Sequence, residues 1–180
     1  MVPREDYEKI PDGSVAYPNE LYPMAGTPYG VKRSGYFSSA GAPCNPTPWG
    51  SLQAVDLRTG EVKWKVNLGT TKHQAPWPLY LIPGLGDVGA PNFGGGIVTA
   101  GGLYFLGATT DRAFRAFDVD TGEIVWETEL PYQANASPLS YRLRPDGRQF
   151  VVVAAGGNAI SKQGDAITAF ALPTKDREDR

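Results

Sequence analysis

The sequence predicts an all-β fold, a partial β-propeller of about two and a half four-stranded antiparallel blades, on three observations. The first is a repeat: "AVDLRTGEVKWKVNLG" from Ala54 to Gly69 returns as "AFDVDTGEIVWETELP" from Ala116 to Pro131, with Ala, Asp, Thr-Gly-Glu and Trp in step. The second is alternation. Val62, Trp64, Val66 and Leu68 oppose Glu61, Lys63, Lys65 and Asn67, and Ile124, Trp126, Thr128 and Leu130 oppose the residues between them, the period of a strand with one buried face. The third is punctuation, with 22 glycines and 16 prolines spread through 180 residues, as many turns between short strands require.

The elements follow in order. Residues 1–25 form an irregular N-terminal segment, and 26–69 a partial blade ending in a hairpin of "SLQAVDL" and "VKWKVNL". "RTGE" joins those two strands, with Gly60 supplying the positive φ of a tight turn. The copies start 62 residues apart, at 54 and 116, which exceeds one four-stranded unit; the excess is a long loop over 70–93. Residues 94–131 read as a full blade of "GGIVTAG", "GLYFLGAT", "AFRAFDV" and "IVWETEL", turned at Gly122. Residues 132–173 read as a last blade, "SPLSYRL", "RQFVVVAAGG" and "DAITAFAL", that lacks its outer strand, and 174–180 are a charged tail. Closed propellers carry about four to eight blades, so the expectation is part of a larger ring, or a short chain that must associate to cover its open edges.

Composition excludes other classes. A formal net charge of -2 with scattered Lys and Arg provides no basic face for nucleic acid. The single Cys44 makes no intrachain disulfide and anchors no zinc, and is expected to be a small buried hydrophobe. No apolar run approaches the roughly 18 residues of a membrane span, and "MVPREDYEKIPDG" lacks the apolar stretch of a secretory signal, so no export signal or anchor is expected within these residues.

The repeated Ala-x-Asp-x-x-Thr-Gly-x-x-x-Trp, at Ala54 to Trp64 and Ala116 to Trp126, resembles the tryptophan-docking motif of the quinoprotein alcohol and sugar dehydrogenases. In that family each Trp stacks between the Ala of its own blade and a peptide near the Gly of the next, and a flat indole does need small neighbours on both faces. "GTPYGVKRSGYFSSAGAPCNPTPWGSLQAVDL", "GAPNFGGGIVTAGGLYFLGATTDRAFRAFD" and "GRQFVVVAAGG" resemble, in order, the C-terminal blades of the membrane-type glucose dehydrogenase group, which includes quinate and polyol relatives.

The resemblance implies an eight-bladed propeller holding pyrroloquinoline quinone with Ca2+ or Mg2+. It implies hydride transfer from a glucose-like sugar, polyol or alcohol to the quinone, reoxidation by a quinone or cytochrome acceptor, and a periplasmic location. The base, the metal carboxylates and a cofactor-contacting Lys would lie in earlier blades, so no metal ligand is assigned here and the isolated 180 residues are expected to be inactive. Carried over residue by residue, Asp111 in "GATTDRAFRAF" takes an electrostatic role, pairing with that Lys, and Asn92, Phe93 and Asp111 are the cofactor-binding candidates. Gly94, Gly95 and Gly96 would permit close backbone approach.

Other residues are read structurally. His73 in "TTKHQ" is expected to face solvent, Asp56 and Asp118 to cap their turns, and Trp49 and Trp77 to pack under loops. "NAS" at Asn135 is discounted as a glycosylation acceptor. Where glucose-type relatives have "GGQATPMTY", this chain has "YQANASPLSY", which leaves the substrate open. The alternative to an enzyme segment is a non-catalytic propeller scaffold that retains the motif and binds proteins.

Overall fold

The computed structural model describes residues 2–3, 19–24, 26–39, 43–72, 78, 81, 84, 86–158 and 161–173. It is all-β, with no α-helix among the described residues and none long and apolar enough to cross a membrane. The chain divides into two compact units, Met1–Pro46 and Thr47–Arg180.

The first unit holds a small antiparallel sheet. Strands β1 (Val2–Pro3) and β2 (Asn19–Pro23) pair antiparallel with the two sides of β3 (Tyr29–Ser34), so part of the segment read as irregular is sheet. Its prolines hid it: Pro3 and Pro23 end their strands, where a missing N–H costs the ladder least. Residues 26–46 group with the N-terminal strands, where β3 finds both its pairing partners. Cys44 is free and exposed rather than buried, because it lies in a proline-flanked turn just after the Phe37–Pro43 bridge.

The second unit is a run of antiparallel sheets. Strands β4 (Ser51–Val55) and β5 (Val62–Asn67) form a hairpin. A four-stranded sheet follows from β6 (Gly96–Val98), β7 (Leu103–Leu106), β8 (Ala113–Asp118) and β9 (Ile124–Glu129), in sequence order. A three-stranded sheet closes the described chain, from β10 (Leu139–Arg142), β11 (Gln149–Ala155) and β12 (Ala166–Phe170). This arrangement is that of a partial propeller.

The repeated residues have the same jobs in both copies. At the turns the Asp56 and Asp118 amides donate to the carbonyls of Glu61 and Glu123, and their own carbonyls accept from Gly60 and Gly122 at φ of 76° and 77°. The carboxylates then take the amides inside the turn: Asp56 accepts from Arg58, and Asp118 from Asp120 and Thr121. These amides hold both carboxyls below their ordinary range. The Thr59 and Thr121 hydroxyls accept from the Glu61 and Glu123 amides. Asp, Thr and Gly thus fix the hairpin, and a register shift after Ala54 and after Ala116 repeats with them.

Trp64 stands opposite Ala54 in its own hairpin and reaches the next sheet. Its Nε1 donates to the Val119 carbonyl at 2.9 Å, and its six-membered ring covers Gly122 so closely that a Cβ there would fall 2.6 Å from Cε3. Trp126 is opposite Ala116 but meets aromatic edges, with Phe170 at 5.1 Å and Phe114 at 6.0 Å between centroids.

Two cores flank β8, which is buried along nearly its whole length. Leu68, Leu106, Ala108 and Phe117, with Leu52, Val66 and Tyr104, fill one; Phe114, Leu130, Ala134, Val151, Val153 and Ala155 fill the other. Phe114 and Phe117 have no exposed surface, and each contributes about 1.5–3 kcal/mol by burial.

The two glycine turns provide a matched test. Gly60→Ala meets nothing within 4 Å and should cost only the backbone term of about 1–2 kcal/mol. Gly122→Ala, at the same φ, must also displace an indole and should cost at least about 1 kcal/mol more by urea denaturation. In a Trp64→Ala background that excess should disappear; its persistence would remove the indole from the explanation.

Candidate functional site

The register of the four-stranded sheet sorts its connections to two ends. Gly96 opposite Leu106 and Ala113 opposite Glu129 place the start of β6, loop 107–112 and the exit of β9 at one end. Val98 opposite Tyr104 and Phe117 opposite Ile124 place the turns 99–102 and 119–123 at the other. The turn end is occupied by Trp64. The loop end holds the candidate site.

Backbone hydrogen bonds knit that end together. The Phe93 amide donates to the Ala108 carbonyl at 2.9 Å, the Ala108 amide to Ala134 at 2.6 Å, and the Leu130 amide to Arg112 at 2.9 Å. Asn92 and Thr109 form a β-bridge. Gly94, at φ 129°, lies so close to the Asn135 backbone that a Cβ would meet its carbonyl oxygen at 2.4 Å, and a Cβ on Gly96 would meet the Phe105 carbonyl oxygen at 2.3 Å. The glycines therefore serve close backbone approach. Ala108 and Arg112 hold left-handed φ values of 48° and 62°, unusual for residues with a Cβ, and enclose Thr109-Thr110-Asp111 between them. Arg112 is pinned by its side chain to the Pro131 carbonyl and the Glu129 carboxylate.

Asp111 is at the centre of a buried network, its side chain 4% exposed. Oδ2 accepts from the Thr70 amide at 2.9 Å and from Arg115 Nη2 at 2.6 Å. Oδ1 accepts from the Thr109 hydroxyl, the Ala113 amide and Arg115 Nη1. Arg115, 6% exposed, also donates through Nε to Glu127, its cross-strand partner on β9. Burial opposes ionisation of Asp111, yet the hydrogen bonds from Arg115 and Thr109, the Arg115 charge and the Ala113 amide outweigh it and hold the carboxyl below its usual range. Arg115 is likewise desolvated, but Asp111 and Glu127 keep its proton more firmly than usual.

The structure brings Asn92, Phe93 and Asp111 to one end of one sheet, with Asn92 exposed, Phe93 49% exposed and Asp111 enclosed. Among the described residues the ion-pair partner of Asp111 is Arg115. His73 and Trp77 lie outside the described residues. Asn135 donates its amide to the Gly157 carbonyl at 2.9 Å and is partly buried. Sequence reasoning missed Arg115, Thr109 and Thr70. A signal for Arg115 existed: a cation inside the apolar run "AFRAF", four residues after Asp111 and facing an acidic strand.

Among the described residues, three buried polar atoms at this end have no partner: Thr110 Oγ1, Gln133 Oε1 and Asn135 Oδ1. Such atoms mark where a further group or an ordered water is expected. At the surface of this end stand the exposed Asn92 and the half-exposed Phe93 ring. No three His, Cys, Asp or Glu side chains come together to hold a metal among the described residues.

Residues 1–151 match the family model described as glucose/ethanol/alcohol dehydrogenase, beta-propeller domain (PQQ). The chain is 43% identical over 155 residues to quinoprotein glucose dehydrogenase A of Acinetobacter calcoaceticus, covering 85% of this chain and 19% of that protein. It is 38% identical over 155 residues to a probable quinate dehydrogenase (quinone) of Xanthomonas campestris pv. juglandis, covering 84% of this chain and 19% of that one. It is also 38% identical over 178 residues to the glycerol dehydrogenase large subunit of Gluconobacter thailandicus, covering 96% of this chain and 23% of that one. The chain spans about a fifth of the length of these curated relatives.

The buried network should be visible in stability. Asp111→Ala leaves Arg115 buried with one partner fewer and should cost about 3 kcal/mol. Because the folded carboxyl is depressed, its contribution is complete above the ordinary carboxyl range near pH 4 and is lost as pH falls through the lower folded value. Urea midpoints measured downward from about pH 6 should therefore fall more steeply for the parent chain than for Asp111→Asn. Parallel curves would remove Asp111 from the acid response.

Proposed function

This chain belongs to the glucose/ethanol/alcohol dehydrogenase β-propeller family, whose members depend on pyrroloquinoline quinone, and on that premise we propose that it supplies the C-terminal blades of a dehydrogenase oxidising a glucose-like sugar or a polyol. The observation that carries this reading is the gathering of Asn92, Phe93 and loop 107–112 at the sheet end away from the Trp64 turn.

Bound pyrroloquinoline quinone would accept the hydride from the alcohol carbon, with Ca2+ or Mg2+ ligated mostly by residues outside this chain. The chain's own residues hold and orient. The exposed Asn92 would meet ligand oxygens through its side-chain amide, and the half-exposed Phe93 ring offers an apolar face that excludes water. Asp111 contributes a fixed negative charge whose field a lysine from the rest of the propeller would share; its five contacts suit that electrostatic role better than proton transfer. The base belongs to the remainder of the ring, so the isolated 180 residues should not turn over substrate. A periplasmic location and a quinone or cytochrome acceptor belong to the same reading, since one relative is named for a quinone and a methanol dehydrogenase subunit for cytochrome c.

A graft tests it. The corresponding segment of the Acinetobacter calcoaceticus glucose dehydrogenase is replaced by this chain, loaded with pyrroloquinoline quinone and Ca2+, and assayed for dye reduction with glucose, quinate and glycerol. Cofactor-dependent reduction with at least one substrate is expected. A folded graft that takes up no quinone would overturn the proposal.

A further inference from the structure

We propose that Arg115 is a positioning residue: through Asp111 it latches loop 107–112 to the Thr70 amide of the neighbouring hairpin, so that two adjacent sheets present one rigid cofactor-side ledge. The cofactor side of this statement rests on the function proposed above; the latch itself rests on geometry alone.

Thr70 follows β5, whereas Asp111 and Arg115 belong to the four-stranded sheet, so the contact from Thr70 N to Asp111 Oδ2 crosses from one sheet to the next. The Thr109 hydroxyl and the Ala113 amide hold Oδ1 within the loop's own strand end, but neither grips Oδ2, the oxygen that meets Thr70. Arg115 supplies that hold with a two-nitrogen grip, Nη1 on Oδ1 and Nη2 on Oδ2, a fork that fixes the carboxylate plane as a point charge would not. Arg115 is itself anchored on the far side by Glu127 and on the near side by the Thr109 hydroxyl. The chain of contacts Glu127, Arg115, Asp111, Thr70 thus runs from β9 across β8 to the exit of β5. It meets the loop at Thr109, whose hydroxyl bonds both Asp111 and Arg115 and whose backbone bridges Asn92. The left-handed backbone at Ala108 and Arg112 is sustained only if its surroundings over-determine it, and this latch is one of the constraints that do so. Neither Arg115 nor Thr70 touches a ligand in this scheme. They set where the loop stands.

Amide hydrogen exchange of the full chain reads the latch directly, with the Leu68 amide, bonded to the Gly50 carbonyl, as an internal control two residues away. In Arg115→Met, Thr70 exchange should rise about tenfold or more while Leu68 stays within about twofold. Arg115→Lys, which keeps the charge but loses the fork, should fall between and carries the test if Arg115→Met does not fold. Glu127→Gln should leave Thr70 protected. In the graft described above, Arg115→Lys should raise the quinone concentration for half-activation about fivefold with the saturated rate within about twofold, a split that general unfolding would not produce. Thr70 and Leu68 rising together, or no change at Thr70, would overturn the latch. Selective exchange at Thr70 with an unmoved quinone requirement would overturn the positioning role. If the unsubstituted graft takes up no quinone, the function fails and the positioning role with it, while the exchange data still decide the latch.

Discussion

Contact between an indole and a glycine sets the geometry on which the rest depends. Trp64 can lie against the turn of the next sheet only because residue 122 has no side chain, and its N–H then finds the Val119 carbonyl. That contact closes one end of the interface between the β4–β5 hairpin and the four-stranded sheet. The Asp111 contact with the Thr70 amide closes the other. Between them Leu68, Leu106, Ala108 and Phe117 fill the space. An aromatic fastener at one end, a charged one at the other and an apolar core between leave little freedom for the sheets to slide, and the loop end inherits that rigidity.

The next interface is built differently. Trp126 occupies the same place as Trp64 in its hairpin but packs edge-on to Phe170 and Phe114, and Phe170 also stacks on Phe114 at 5.4 Å. Among the described residues Trp126 thus meets aromatic bulk where Trp64 meets a glycine, and the larger of the two apolar cores gathers there. The same repeated sentence is thus satisfied by two kinds of neighbour. The Ala opposite each Trp is common to both.

Much of this was legible because repetition and alternation act locally. Asp, Thr and Gly at fixed offsets have a turn to satisfy, and the hydrogen bonds at Asp56 and Asp118 are what their spacing implies. The N-terminal strands were not legible, since prolines and low alternation conceal a strand whose partners are supplied by β3. Nor was Cys44, whose exposure depends on a local bridge rather than on its own chemistry. Of the site, Asn92, Phe93 and Asp111 were marked by resemblance, and the structure places them at one end. Arg115 was marked only by its charge inside an apolar strand, whereas Thr70 was silent because it acts through its backbone amide, which no side-chain pattern encodes.

The division of labour between the two ends of the four-stranded sheet is the centre of this account, and a crystal structure of a quinone-loaded protein carrying these blades tests it most directly. The account predicts quinone density against Asn92, Phe93 and loop 107–112, with Asp111 still held by Arg115 and Thr70. Density at the turn end, beside Gly60 or Gly122, would contradict it.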